Sequence, residues 1–200
     1  MTELQGPTGS SMTPADGFRW ASAPWGPILT LTAWSPQFRH FFTTRHLRFR
    51  GREEARDWAR VADELGVGRE RLLRSRQVHG TSIAIKRRGD ETGGWGAGRP
   101  RADIILTDDP TVAVAVQVAD CVPVLIADWR TGVVAAVHAG WRGTAKRVVQ
   151  VAVRALGETF RSHFLTGHLI FYGLFMMVAI RYMPEGIWGR LRLMVANRRG

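Results

Sequence analysis

Three side chains of the kinds that bind soft or borderline metal ions stand in segments of distinctive composition. They are His79 in Gln77-Val78-His79-Gly80, Cys121 in Ala119-Asp120-Cys121-Val122-Pro123, and His138 in Val137-His138-Ala139-Gly140-Trp141-Arg142-Gly143-Thr144. Two imidazoles and one thiolate suit Zn2+ or Cu2+, and three protein donors leave a fourth position for water, the pattern of catalytic rather than structural sites. A structural zinc would want four ligands, often Cys, and the chain has one cysteine. An ion there would bring water toward a neutral pKa, ready to serve as a nucleophile or acid–base partner. The spacings, 42 residues between 79 and 121 and 17 between 121 and 138, match no compact metal motif. Spacing alone therefore leaves open that the three are unrelated, or that Cys121 is a thiolate nucleophile with His138 as its base, as in a hydrolase. The run Gly140-Trp141-Arg142-Gly143-Thr144 leads from a strand into a helix start. Backbone N–H groups there, with Arg142 beside them, could hold a phosphate; equally, the glycines could serve only a tight turn.

The elements that must position these groups are legible as short apolar runs. Residues 102–107, 112–118, 122–127 and 133–138 are β-branched and separated by turn signals such as Asp109-Pro110 and Thr131-Gly132. Their near-continuous apolarity predicts strands buried on both faces. Residues 28–34 and 40–45 predict two earlier strands, and 74–86 further strand-like pieces around the His79 segment. A helix is predicted over 53–65, where Trp58, Val61, Ala62 and Leu65 share one face and Gly66 stops it. A second is predicted after Thr144 as N-cap, with Val148, Ala152, Ala155 and Leu156 as its buried stripe and Gly157 as its end. Strands covered by helices imply a layered α/β fold, an α/β/α sandwich around a mixed central sheet. Residues 1–27 read as a flexible leader with four prolines, 28–160 as the domain, and 161–200 as a tail of different character.

Bulk composition narrows the classes. At 200 residues the chain has room for one real core, and 45% hydrophobic residues make it globular. The net charge of +11 comes almost wholly from arginines spread along the chain, with Lys only at 86 and 146 and no nucleic-acid motif. Charge alone names no site, so no nucleic-acid partner is expected. One cysteine excludes an internal disulfide, and the polar start has no apolar signal stretch, so the cytoplasm is the expected compartment.

Taken together and in order, these segments resemble the family of multicopper polyphenol oxidase or laccase-domain proteins, whose members are described as purine nucleoside phosphorylases. The family pattern QVHG, ADxxxT, ADCxPxL and HAGWRGT is similar to residues 77–80, 102–107, 119–125 and 138–144, and Phe42-Thr43-Thr44-Arg45 resembles an early family segment. The resemblance implies that His79, Cys121 and His138 bind zinc or copper. It implies phosphorolysis of adenosine, inosine, guanosine and methylthioadenosine, and adenosine deamination. Purine nucleosides and phosphate are then the partners. In the roles it suggests, water activated at the three donors attacks C6 of adenine, Arg45 and Arg142 position phosphate, and Asp120 orients a ligand or acts as base. Copper-dependent phenol oxidation is the alternative; true multicopper oxidases need more histidines than the six present.

The resemblance covers roughly residues 38–160, and the last third of the family domain is expected to be missing, leaving the fold incomplete at its C-terminal side. Residues 169–180 are uncharged and apolar, and the tail looks similar to the C-terminus of branched-chain amino-acid transporter permeases. A span over 164–180 would leave Arg181, Arg190, Arg192, Arg198 and Arg199 outside a cytoplasmic domain, against the positive-inside tendency. A helix packed on the domain or lying on a membrane surface avoids this. A truncated or fused product, inactive if the lost part is indispensable, is the preferred expectation for the tail.

Overall fold

The computed structural model describes residues 15–90, 94–95 and 98–158. Among the described residues the main elements follow one another as β1 (Phe18–Ala23), β2 (Gly26–Leu31), α1 (Glu54–Leu65), β3 (Leu72–Arg74), β4 (Ile83–Lys86), β5 (Ile104–Thr107), β6 (Ala113–Ala115), β7 (Val122–Asp128), β8 (Val133–Ala139) and α2 (Trp141–Ala145). The class is α/β with mixed sheets, as the alternation of β-branched runs and helical periodicity implies.

The central sheet has the order β4-β5-β8-β7. β4 and β5 are parallel, whereas β5 and β7 both run antiparallel to β8. Its two inner strands carry the core: Ile104, Ile105, Leu106 and Val137 are fully buried. Burying each such side chain contributes about 1.5–3 kcal/mol. The expectation of strands buried on both faces holds for β5 and β8. It fails for β7, an edge of this sheet, where Val122 is 60% exposed. β4, the opposite edge, alternates instead, with Ala84 and Lys86 buried and Ile83 and Ile85 facing out.

Helix α1 forms where its periodicity says it should, and it ends at Gly66, which takes a left-handed φ of 72°. Trp58, Val61 and Ala62 pack with Leu47 and Leu72 into a second cluster, which the parallel pair β3–β6 joins through Ala113 and Ala115. The guanidinium of Arg74 lies 4.4 Å over the Trp58 ring.

Several elements differ from the sequence expectation. Part of the stretch read as a leader is folded: β1 and β2 form an antiparallel hairpin about Pro24-Trp25. Pro24 sits in the turn and Pro27 is the second residue of β2, at the start of a strand in a two-stranded sheet, so the prolines punctuate the hairpin rather than preventing it. The segment 40–45 is not a strand but a single bridge from Phe42 to Leu29. His40 fastens it, accepting the Leu31 N–H at Nε2 (2.8 Å) and donating from Nδ1 to the Phe38 carbonyl (2.8 Å). Past β8 the helix begins at Trp141 with Gly140 as its cap, and Thr144 lies inside it, donating its N–H to the Gly140 carbonyl. The break comes at Arg147, with φ 59°, after which helical backbone resumes over 148–158. Val148 and Ala152 are its buried stripe, and Gly157 is helical rather than terminal. No helix among the described residues is long and apolar enough to cross a membrane. The stretch 164–180 and the tail lie outside the described residues.

Candidate metal centre and its cavity

Strand direction gathers the three donors. Because β5 and β7 run antiparallel to β8, their starts lie beside its end, and β4, parallel to β5, starts at that end too. His138 is the penultimate residue of β8, Cys121 immediately precedes β7, and His79 lies in the turn before β4. Their donor atoms fall within 4.8 Å of one another. The two imidazoles meet edge to face, 4.8 Å between centroids at 82°. His138 is buried, Cys121 half-buried and His79 exposed, so the group opens to solvent on one side.

Asp103, just ahead of β5, organises the cluster. It is fully buried, and its Oδ1 accepts the Nδ1–H of His138 at 2.8 Å. That bond holds Nδ1 as the donor nitrogen and leaves Nε2 as the lone-pair nitrogen, the arrangement that metal-binding histidines use. The same carboxylate accepts three successive backbone N–H groups, from Val78 (3.2 Å), His79 (2.9 Å) and Gly80 (2.7 Å). Such a wrap requires an unusual backbone, and His79 has φ 59°, a left-handed value that costs a non-glycine residue energy. Burial pushes the Asp103 carboxyl up, but hydrogen bonds from His138, Gly80 and His79 outweigh it and hold the group below the usual carboxylate range. One ionised carboxylate thus orients one candidate donor and stabilises the strained backbone of another. Sequence reading passed over Asp103; the available signal was an aspartate set between Ala102 and Ile104 in an apolar run, which burial would oblige to find partners.

The glycines of Gly140-Trp141-Arg142-Gly143 serve space rather than turn geometry. Gly140 has an ordinary φ of −76°. A Cβ on it would stand 3.0 Å from His79 Cδ2, 3.1 Å from Cys121 Sγ and 3.6 Å from His138 Cε1. A Cβ on Gly143 would stand 2.9 Å from the Gly80 carbonyl oxygen. The first glycine keeps open the space between the three donors, and the second lets α2 approach the His79 turn. A hollow edged by two imidazoles, one thiol and a bare glycine fits a divalent ion of the Zn2+ or Cu2+ type.

The donors sit at one wall of a cavity of about 820 Å³ whose lining also includes Arg45, Arg48, Arg50, Gln77, Gln117 and Asp120. The arginines belong to an arm in which Leu47 and Phe49 point inward and Arg45, Arg48 and Arg50 outward. The arm is firmly held. The buried Asp57 of α1 accepts the N–H groups of Arg48 (2.9 Å) and Phe49 (3.2 Å), and the Phe49 ring lies 4.3 Å from Trp58. Among the residues singled out from sequence, Arg45 and Asp120 are therefore brought to the cavity with His79, Cys121 and His138. Arg142 is not among its lining residues; its guanidinium lies 5.1 Å over the Trp141 ring. Arg48 and Arg50 were not singled out, because only the fold turns alternate residues of that arm the same way.

Comparison with known proteins gives the chain a family. The family described as multi-copper polyphenol oxidoreductase laccase matches residues 39–168. A purine nucleoside phosphorylase of Streptomyces coelicolor is 44% identical over 99 residues, covering 49% of this chain and 39% of its own length. A protein named adenosine deaminase RL5, from an unknown prokaryotic organism, is 32% identical over 99 residues, covering 48% of this chain and 38% of its own. The chain thus spans about two fifths of the length of these relatives. Among solved structures, the hypothetical protein YfiH of Bacillus licheniformis superposes with a TM-score of 0.54 at 25% identity, covering 70% of this chain and 58% of that one.

Proposed function

The chain belongs to the multi-copper polyphenol oxidoreductase laccase family, and from that premise we propose that it is a metal-dependent domain for purine nucleoside phosphorolysis, with adenosine deamination and methylthioadenosine phosphorolysis as related activities. The observation that carries this reading is one cavity with a His-Cys-His donor set at one wall and three arginines in its lining. His79, Cys121 and His138 would hold one divalent ion, Zn2+ or Cu2+. When bound, such an ion supplies Lewis acidity to a substrate heteroatom or to water.

The chain's own groups do the rest. Arg45, with Arg48 and Arg50, binds and orients phosphate through paired N–H donors. In phosphorolysis a phosphate oxygen bonds to the ribose C1′, the C1′–N9 bond breaks, and the purine leaves with the electron pair and takes up a proton. Asp120, on the cavity wall next to Cys121, accepts a proton from the attacking nucleophile. Arg142, stacked outside the lining residues, is left with no part in this scheme. The coarser support comes from relatives named purine nucleoside phosphorylase and adenosine deaminase.

A second reading has its own observation. Asp103, His138 and Cys121 are ordered as a carboxylate, an imidazole and a thiol, which would suit a thiolate nucleophile with a histidine base. Incubation of the purified chain with inosine or adenosine and phosphate separates the two. Release of free purine that stops with a chelator and returns with Zn2+ is the expected result. Activity indifferent to the chelator would favour the thiolate, and no release from folded, metal-loaded protein would overturn the nucleoside reading.

A further inference from the structure

We propose that Gln77 and Gln117 are positioning residues with separable targets: the Gln77 side chain sets the spacing of the segments that carry His79 and Cys121, and the Gln117 side chain holds the arginine arm to the same cavity. This rests on the reading that His79, Cys121 and His138 hold a divalent ion.

The backbone leaves a gap that Gln77 closes. The parallel pairing of β3 with β6 ends at Arg74 and Ala115, and Arg76 bridges to Arg101 instead. Two residues before His79, the Gln77 amide reaches the other segment. Its Nε2 donates to the Gln117 carbonyl at 2.7 Å, and its Oε1 accepts the Gln117 N–H at 2.8 Å. Both backbone polar groups of one residue, the Gln117 N–H and carbonyl, are thereby met by one side chain, in imitation of a strand pair. Only a side chain carrying donor and acceptor together at this reach can do so. Gln117 lies four residues before Cys121, so the clamp joins the approaches to two candidate donors that are far apart in sequence.

The Gln117 side chain faces a different target. Its Nε2 donates to the Phe49 carbonyl at 3.2 Å. Phe49 has φ 49°, a value that must be held by its surroundings, and it lies between Arg48 and Arg50. Because Gln117 contributes only backbone atoms to the clamp, Gln117→Ala leaves the clamp intact and loosens the arm only at the Phe49 carbonyl, while Asp57 still holds the Arg48 and Phe49 N–H groups. Gln77→Ala removes the clamp itself.

The test titrates Co2+ into the full chain, reading affinity and the thiolate and imidazole ligand field by visible absorption, and titrates inorganic phosphate by calorimetry. Gln77→Ala is expected to weaken Co2+ binding on the order of tenfold, the size two ordinary hydrogen bonds support, and to alter the absorption bands. Gln77→Glu keeps the acceptor, loses the donor, and is expected to fall between. Gln117→Ala is expected to weaken phosphate binding several-fold while leaving the Co2+ affinity and bands as in the parent. Parental Co2+ binding by both Gln77 variants, or a Gln117→Ala loss of Co2+ equal to that of Gln77→Ala, would overturn the proposal. Failure of the parent chain to bind Co2+ would instead sink the metal reading beneath it. A parent that binds Co2+ but not phosphate would remove the Gln117 half.

Discussion

Asp103→Ala is expected to abolish metal binding and to unfold the region around it. The alanine leaves the His138 Nδ1–H and the N–H groups of Val78, His79 and Gly80 without their shared acceptor. A buried donor left unmet costs about 1–3 kcal/mol. Several together approach the ~5–15 kcal/mol that holds a domain folded. The left-handed backbone at His79 also loses what stabilises it. Asp103→Asn separates the two roles. It keeps the shape and one acceptor oxygen but turns an NH2 toward backbone N–H groups. That variant is expected to fold and to bind Zn2+ about 10–100-fold more weakly, the usual effect of losing a carboxylate behind a metal-binding histidine. Thermal unfolding and a metal titration on both variants check this. Undiminished Zn2+ affinity in a folded Asp103→Asn protein would show that the carboxylate only supports the backbone.

Gly140 offers a probe of the space between the donors, since its φ of −76° and ψ of 166° suit any residue. Gly140→Ala must displace the His79 ring or the Cys121 thiol by a few tenths of an ångström, because its Cβ would stand 3.0 and 3.1 Å from them. A metal site tolerates little such movement, and the expected result is at least a tenfold loss of Zn2+ affinity. Gly140→Val adds a whole isopropyl group to the hollow and is expected to bind no stoichiometric metal. Overpacking at a buried position costs the fold about 1–3 kcal/mol. Comparison of the metal-free variants by chemical denaturation therefore shows whether metal loss exceeds what weakened folding explains. Metal retention in Gly140→Val would mean that the ion binds elsewhere.

The parts of this molecule that were legible in sequence are those set by local pattern. The stripe of Trp58, Val61, Ala62 and Leu65 announced α1, and the apolar runs at 102–107 and 133–138 announced the two inner strands, observed at Ile104–Thr107 and Val133–Ala139. What the pattern could not convey was strand order and direction. His79, Cys121 and His138 become neighbours only because β5 and β7 both run against β8 and β4 begins at the same end. For the same reason β7 was read as buried on both faces although it is an edge. Its apolar run resembles that of β8 except at Pro123, the second residue of β7, and that proline was the available signal of an edge strand. The resemblance to a known family identified the three donors together, which their spacing did not. It did not reveal Asp103, because its motif was read as the opening of a strand. Nor did it reveal why Gly140 and Gly143 stand where they do, since both serve contacts with distant segments. Arg142, a cation next to a helix start, stands 5.1 Å over the ring of its neighbour Trp141, a contact that its sequence position did not convey.

The most direct test of the site is the metal content of the purified chain beside that of Cys121→Ala, with both proteins shown to be folded by circular dichroism. Convergence of His79, Cys121 and His138 leads to the expectation of about one zinc or copper per parent chain and almost none in the variant. A folded parent without metal, or a variant holding as much metal as the parent, would contradict the assignment of this cluster as the protein's metal centre.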